Sequence, residues 1–242
     1  MQFIPVKTRA ILPPKDNLYG VLDESLPKLK EDDVLFITSK ILSIHQGRCR
    51  TIKNKKEKLE IIRQEADYHL PDRIVNGSHI ILTIKDHTLI PSAGIDESNG
   101  NGYIILWPKN VNRLLKQIAL YLKRKHGIKK LALIATDSHT TPLHWGVTGV
   151  AIGFSGLEPL YDYRSKKDIF GKKLEYTQSN IVDSISATAV LLMGEGNERK
   201  PMVILRGAKF VKFTTKDTYK KFVIDPKKDL YYPLLKIFKK KK

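Results

Sequence analysis

The chain has 242 residues, of which 41% are hydrophobic, and it includes ten Tyr and eight Phe. This composition excludes an intrinsically disordered protein, and the length allows one large domain or two small ones with a buried core. The formal charge of +18 leaves two classes of partner open, nucleic acid and small anionic substrates.

Patterns in the first half of the chain predict short strands and helices in alternation. Residues 3–11 mix apolar and polar side chains as a strand does, and the prolines that follow Leu12 end this strand. The same reasoning predicts strands over residues 32–39 and 80–84, and helices over residues 18–29 and 55–68. Glycines and asparagines over residues 96–102 predict a turn.

The second half carries the clearest helix and the clearest buried strand. Over residues 111–126 the apolar side chains follow the helical period, and Gly127 ends the helix. Residues 130–136 form a continuous apolar run, which predicts a buried strand with Asp137 at its end.

The remaining segments complete a mixed pattern. Strands are predicted over residues 147–154 and 201–205. A helix is predicted over residues 180–193, with Gly194 as its stop and with Ile181, Ile185, Ala189 and Leu192 facing inward. Helices and strands mixed in this way predict an α+β protein.

Cysteine content and hydropathy predict the compartment. The single cysteine, Cys49, cannot form an internal disulfide, which fits a reducing compartment. The N-terminal segment lacks the apolar run of a signal peptide, and no stretch of about 18 apolar residues could span a membrane. We therefore expect a soluble, cytoplasmic protein without a membrane partner.

Positive charge is concentrated in two runs, residues 53–58 and 239–242. Neither run is interleaved with aromatic residues, as a platform for stacking bases would be. A solvated lysine-rich surface or an anionic substrate also accounts for the charge. Nucleic-acid binding is therefore the less favoured alternative.

Common nucleotide and zinc motifs are absent from the sequence. It contains no G-x-x-x-x-G-K-[ST], no G-x-G-x-x-G after a strand, no H-E-x-x-H and no paired C-x-x-C. A nucleotide, if one is used, must be held in a less common way.

Two acidic segments stand out. GIDESNGNG, residues 94–102, begins like a calcium loop, but the acid expected about eleven positions after Asp96 is Trp107. Asp96, Ser98 and Asn99 still offer oxygen ligands suited to magnesium, manganese, a ribose or a phosphate, although a simple turn is the favoured explanation of this segment alone. Asp137 follows a predicted buried strand, where ligands collect in α/β sheets and where a cap is the alternative.

These segments, with others in order along the chain, resemble the coenzyme F-420-0:L-glutamate ligase family. GIDESN resembles its glycine–aliphatic–Asp–x–Ser–Asn signature, and ATDSHTTP resembles its Thr-Asp-Thr-x-x-x-Pro signature. Further matches lie in SKILSIHQGR (residues 39–48), GVAIGFSGLEPLYDYRSKKDIFGKKL (residues 149–174) and MGEGNERKP (residues 193–201).

The resemblance implies roles at matching positions. Asp96 and Asp137 are implied to be catalytic and to hold magnesium or manganese, together with Ser138 and Glu195. Nucleotide contacts are implied for residues in four segments. These residues are Leu12, Pro13, Pro14 and Lys15 near the N-terminus, Ser39 and Lys40 in SKILSIHQGR, Asn99 in GIDESNGNG, and Gly194 and Gly196 in MGEGNERKP.

The resemblance also implies the reaction and the assembly. GTP is the expected co-substrate, with ATP not excluded, and L-glutamate is joined to a cofactor carboxylate through an acyl phosphate. The chain, residues 1–242, is then a single domain of two intimately packed subdomains in an intertwined homodimer. Such chemistry needs charge neutralisation and alignment rather than a protein nucleophile, so Cys49 has no required role.

Departures from the family pattern leave the acceptor and catalysis open. Thr141, His144 and Trp145 stand where the family usually has Gly-Arg-Pro and a further arginine, and Ile44 and Ser165 replace a lysine and a glycine. Losing arginines that could grip an anionic acceptor changes the expected substrate. The T-D-S-H form resembles a branch proposed to add glutamate to folates, so the acceptor is a folate or coenzyme F-420-0. A non-catalytic nucleotide-binding homologue is the alternative.

Overall fold

The computed structural model describes residues 1–75 and 78–240. Over these residues the helices are α1 Leu18–Ser25, α2 Ser39–His45, α3 Lys55–Glu65, α4 Val111–His126, α5 Ile181–Met193, α6 Tyr219–Phe222 and α7 Tyr232–Leu235. The strands are β1 Gln2–Val6, β2 Asp33–Thr38, β3 Cys49–Arg50, β4 Tyr68–His69, β5 Arg73–Val75, β6 Ser78–Ile80, β7 Leu82–Lys85, β8 Thr88–Pro91, β9 Ile104–Ile105, β10 Leu131–Thr140, β11 Val147–Ser155, β12 Leu160–Asp162, β13 Gln178–Asn180, β14 Met202–Arg206 and β15 Lys239–Lys240. This mixture confirms the predicted α+β class, and the last two lysines of the basic C-terminal run lie outside the described residues.

A five-stranded sheet forms the centre of the protein, in the order β1-β14-β2-β10-β11. Strands β2 and β10 run parallel to each other, and all other neighbours in this sheet are antiparallel. Both parallel strands contain unbroken apolar runs, residues 34–37 in β2 and 131–135 in β10, because central strands covered on both faces must be apolar on both. Thr38, the carboxyl end of β2, lies beside Thr136 of β10, which is the last residue of β10 that pairs with β2.

Helices cover both faces of the central sheet. Helices α1, α2 and α4 pack on one face, where α4 buries Leu115, Ile118 and Leu122 completely. Helix α5 packs on the other face against Phe36 and Ile134. The sheet is thus the middle layer between two apolar cores.

Smaller sheets carry the segment between α2 and α4. Strands β15, β4, β7 and β8 form one four-stranded sheet, and β3 pairs with β9. Asp96 pairs with Ile105 in a single β-bridge beside β3 and β9. This bridge fixes the start of the acidic loop, residues 94–102.

Several predicted boundaries were wrong for local reasons. The strand predicted over residues 3–11 ends at Val6, because its partner strand β14 begins at Met202. The first predicted helix ends at Ser25, before Pro27, since the residue preceding proline disfavours helical angles. Helix α3 ends at Glu65 rather than at residue 68, because Ala66 is extended.

Two strand predictions were also wrong in extent. The strand predicted over residues 80–84 is two strands, β6 and β7, with Ile81 buried between them. The strand predicted to end before Asp137 runs on to Thr140, with an irregularity in its pairing at Ala135/Thr136. Asp137 therefore lies inside β10, just after a β-bulge.

Helix α5 was predicted correctly in extent, and its buried face was predicted in part. It is capped by Asn180, whose side chain accepts from the Asp183 N–H, and Gly194 ends it at a φ of 79°. Val182, Ile185 and Ala189 are buried, whereas Leu192 is exposed. The inward stripe begins one residue later than predicted.

An ion pair lies across the start of β2. The Asp33 carboxylate is fully buried and receives two hydrogen bonds from Arg206, at 2.9 and 2.7 Å. We expect Arg206→Ala to destabilise the fold by about 2–3 kcal/mol, because a buried carboxylate loses its cation. Urea unfolding measures this, with Arg164→Ala, whose ion pair with Asp162 is exposed, as the matched control that should stay near wild type.

Within residues 1–75 and 78–240, none of the helices combines the length and the apolar character needed to cross a membrane.

Candidate functional site

A cleft of about 880 Å³ opens at the carboxyl ends of β2 and β10. It is lined by all the residues implied in binding or catalysis except Pro14 and Lys15, namely Leu12, Pro13, Ser39, Lys40, Asp96, Asn99, Asp137, Ser138, Gly194, Glu195 and Gly196. Five segments distant in sequence thus meet at the edge of the sheet, which is where α/β sheets bind ligands.

The parallel pairing of β2 with β10 brings the Ser39 segment next to the Asp137 segment. Thr38 is the Cα partner of Thr136, and each is followed at once by a cleft residue, Ser39 or Asp137. Ser39 begins α2 and is buried, while Lys40 points outward along the cleft wall. The Ser-Lys element is therefore positioned by the strand-to-helix junction.

The Asp137 carboxyl is half-buried beside the irregularity in the pairing of β10 with β11. Burial is the main cause that raises its pKa to about 7, and the nearby charge of Asp96 adds to the rise. The Ser138 N–H, the Ser39 hydroxyl and the Lys40 charge act in the opposite direction. No cation forms an ion pair with Asp137 among the residues that the structure describes.

Asp96, in contrast, is paired. Its Oδ2 lies 2.7 Å from Lys40 Nζ, and its Oδ1 accepts from the Ser98 N–H at 2.7 Å. Lys40 also donates to the Ser98 Oγ and carbonyl at 2.9 and 3.0 Å. Burial opposes ionisation of Asp96, but these partners outweigh it and lower the pKa of the carboxyl. Lys40 therefore ties the acidic loop to α2.

A close packing contact between Gly94 and Trp107 positions the acidic loop. Gly94 has a φ of 66°, and a Cβ added there would overlap Cε3 and Cζ3 of Trp107. Trp107 is buried in the core, with its Nε1 lacking a hydrogen-bond partner. Only glycine satisfies both the backbone angle and the contact, which explains the first residue of GIDESN.

The turn after α5 forms the opposite wall. Glu198 accepts from the Gly196 N–H at 2.9 Å, and its carboxyl lies against Gly194, whose φ of 79° also favours glycine. Asn99 Nδ2 donates to the Gly196 carbonyl at 2.9 Å, which links this turn to the acidic loop.

Glu195 reaches back toward β10 from this turn. It is exposed as a residue, yet partial burial of its carboxyl on the cleft wall is the main cause that raises its pKa. Ser138 Oγ donates to its Oε2 at 3.4 Å, the long end of the hydrogen-bond range. The two carboxyls with raised pKa values thus lie on either side of Ser138.

The donor set fits a divalent cation in part. Carboxylate and hydroxyl oxygens from Asp137, Glu195 and Ser138 are the hard ligands that magnesium and manganese prefer. The raised pKa values are those of carboxyls that lack a counter-charge, which a bound cation would supply. Nevertheless, no three His, Cys, Asp or Glu side chains in the described chain converge into a ready-made metal site. Oxygens of a substrate would have to complete the coordination.

Sequence reasoning missed the cations on the cleft wall. Arg9, Arg199 and Lys200 all line the cleft. Arg9 is held by Asp16 at 2.6 Å, whereas Arg199 and Lys200 have no ion pair in the described parts of the chain. The sequence signal that could have identified these two cations was their position directly after MGEGNE, the glycine-containing turn of the cleft.

Residues at the departures from the family pattern lie in three environments. Ile44 is buried against the cleft. Thr141, His144 and Trp145 occupy the exposed tip between β10 and β11, outside the cleft lining, and Trp145 is 99% exposed. Ser165 has a φ of 67°, the left-handed conformation that favours glycine.

The cysteine gives no sign of nucleophilic activation. Cys49 is half-buried in β3, and burial raises the pKa of its thiol. A raised pKa reduces the thiolate fraction at neutral pH, so this side chain is a poor nucleophile.

Known proteins resemble this chain over most of its length. The profile of the family described as F420-0:Gamma-glutamyl ligase matches residues 6–207. The chain is 35% identical to the coenzyme F420:L-glutamate ligase of Methanosarcina mazei, covering 79% of this chain and 80% of that protein. It is 31% identical to the enzyme of the same name from Methanopyrus kandleri, covering 85% and 86%. The corresponding Methanothermobacter thermautotrophicus protein is 32% identical, covering 78% and 81%. The chain therefore belongs to the F420-0:gamma-glutamyl ligase family of enzymes.

Proposed function

We propose that this protein uses a nucleoside triphosphate, preferably GTP, to join L-glutamate to the carboxylate of a cofactor precursor through a γ-glutamyl amide bond. The observation that carries the proposal is the cleft in which an unpaired Asp137 carboxyl faces Ser138 and Glu195, with Asp96 and Lys40 alongside. An oxygen-rich site of this kind suits the transfer of a phosphoryl group to a carboxylate.

The proposed reaction has two steps. An oxygen of the acceptor carboxylate attacks the terminal phosphorus, and the nucleoside diphosphate leaves. The amine of glutamate then attacks the acyl carbon, inorganic phosphate leaves, and the amine loses a proton to give the amide. Bound magnesium or manganese would neutralise phosphate charge and polarise the phosphoryl oxygens.

The residues of the cleft have different roles in the proposed reaction. Asp137, Glu195 and Ser138 would hold the cation, with Asp96 completing the set from the loop. Lys40, at the start of α2, would bind a phosphate oxygen. Asn99 connects the acidic loop to the turn after α5 through its hydrogen bond to the Gly196 carbonyl. Arg199 and Lys200 add positive charge where anionic groups enter.

Two acceptors have separate support. The names of the relatives support F-420-0, since these proteins are called coenzyme F420:L-glutamate ligases. The departures at Thr141, His144 and Trp145 support a folate, because no arginine stands at the exposed tip beyond Asp137.

The test is mass spectrometry of reaction mixtures with L-glutamate, manganese or magnesium, and GTP or ATP. Parallel mixtures contain F-420-0 or a reduced folate monoglutamate. A product heavier by one glutamyl residue identifies the acceptor and supports the ligase. Metal-dependent nucleotide binding without product from either acceptor contradicts it and supports the non-catalytic alternative.

We further propose that residues 1–242 form one domain of two packed subdomains and that it assembles as an intertwined homodimer. Two hairpin-like segments leave large apolar side chains exposed, with Leu143 and Trp145 on one and Ile169 and Phe170 on the other. Exposed apolar clusters of this size mark interaction surfaces. Light scattering coupled to size exclusion tests the dimer, and a monomer at micromolar concentration contradicts it.

Lys40 provides a prediction about nucleotide affinity. We expect Lys40→Met to weaken nucleotide binding at least about tenfold, because the variant loses a phosphate-binding cation and frees the Asp96 loop. The matched control is Lys58→Met, which removes the neighbouring exposed pair with Glu97, at 3.0 Å, outside the cleft lining. Calorimetric titration should give the control a near wild-type Kd. Equal Kd values for the two variants would contradict the role of Lys40.

A further inference from the structure

A second cavity, of about 670 Å³, lies at the outer edge of β11, against α4. None of the residues lining it also lines the catalytic cleft. Leu131 is at this cavity and Asp137 is at the cleft, which places them about 20 Å apart along β10 at about 3.3 Å per residue. The cavity is thus a separate site.

The walls of this cavity are basic. Helix α4 contributes Arg113, Lys116 and Lys123, and the facing segment of residues 214–219 contributes Lys216. None of these four cations has an ion pair among the described residues, whereas Lys125, elsewhere on α4, pairs with Asp23 at 2.5 Å. Two carboxylates, Asp86 and Asp217, offset only part of this charge.

Helix α4 has no acidic residue to balance its cations. Like charges three or four positions apart destabilise a helix, so Arg113 and Lys116 on one face act against local stability. A bound anion between them would reverse that effect. The purely solvated alternative does not explain why the unpaired cations face a cavity.

The floor of the cavity is apolar and its rim carries hydroxyl groups. Leu131, Ile152 and Phe154 form the floor, and Ser155, Thr214 and Thr215 lie at the rim. Hydroxyl groups donate to phosphate or carboxylate oxygens, and the volume matches sites for small organic ligands. An apolar floor beneath cations suits a ligand with an apolar body and an anionic group.

We propose that this cavity binds a small organic polyanion, in which phosphate or several carboxylates are attached to an apolar body. Arg113 and Lys116 bind the anionic group, and the apolar floor contacts the body of the ligand. This inference does not rest on the ligase reaction, because the two sites share no residue.

The test compares two doubly substituted full-length proteins of equal charge. One is Arg113→Gln with Lys116→Gln, and the control is Arg124→Gln with Lys129→Gln, which lie outside the cavity and have no ion pair in the described chain. All four side chains are exposed, so both proteins should keep the wild-type Tm. Phenyl phosphate and benzene-1,3,5-tricarboxylate, titrated by calorimetry at constant ionic strength, distinguish a phosphate site from a polycarboxylate site.

We expect one of the probes to bind the wild type with a Kd below about 1 mM, and the cavity variant to bind it at least about tenfold more weakly. The control should stay within about twofold of wild type, since general charge effects act equally on both variants. Backbone amide shifts should move at residues 214–216. Binding of neither probe, equal loss in both variants, or competition by the nucleotide of the catalytic cleft would overturn the proposal.

Discussion

Asp137→Asn is expected to abolish turnover while stabilising the cation-free protein. The substitution removes the charged oxygen that the proposed metal requires, so we expect a loss of about a thousandfold or more in glutamylation rate. Product formation followed by mass spectrometry measures this loss. A rate near that of the wild type would show that Asp137 holds no essential cation.

The stability effect follows from the sign of the pKa shift. Because burial raises the pKa of Asp137 to about 7, from an ordinary value of 3.8, its ionised form destabilises the fold when no cation is bound. At pH 8 we expect Asp137→Asn to gain about 1–3 kcal/mol in free energy of unfolding in the presence of a chelator. The gain should shrink as the pH falls through 7 and vanish only well below the unfolded-state pKa of 3.8, where the carboxyl is protonated in both folded and unfolded forms. An increase in the gain toward acid would contradict this reasoning.

Gly94→Ala is expected to be a strongly damaging single-methyl substitution near the cleft. The new Cβ would overlap the ring of Trp107, and the positive φ disfavours any side chain. We expect a loss of about 3–5 kcal/mol in stability, because a buried indole cannot move aside in a packed core. Asp96 lies two residues away, so the remaining folded protein should also bind nucleotide and metal more weakly.

The control for this prediction is Gly102→Ala. Gly102 has a φ of 85° in the same segment, but a Cβ there would meet no atom within 4 Å. It therefore measures the backbone cost alone, about 1 kcal/mol. Urea unfolding of both variants separates the two contributions, and equal destabilisation would show that the Trp107 contact is unimportant.

Sequence patterns predicted those elements whose structure depends on local spacing. Helix α4 begins and ends where the apolar stripe and Gly127 place it, because its buried face and its stop are encoded within one continuous segment. The start and the stop of α5 follow from Asn180 and Gly194 in the same way.

Features that depend on distant segments were not predictable in this way. The bulge beside Asp137 exists because β11 pairs out of register with β10, and the pairing of Lys40 with Asp96 joins residues far apart in sequence. Family resemblance selected most of the cleft residues, since no local pattern distinguishes Asp96 from an ordinary turn acid. Arg199 and Lys200 look like solvated charges until the fold places them on the cleft wall.

The strand order has a consequence for synthesis on the ribosome. Strand β14, which ends at Arg206, lies between β1 and β2, so the two earliest strands of the sheet cannot be joined until the last one has emerged. During translation, Val6 and Phe36 belong to open strand edges, which are prone to incorrect pairing. The cleft, whose walls come from both ends of the chain, closes only at that late stage. A nascent chain released before residue 206 would therefore expose unpaired strand edges and lack a complete cleft.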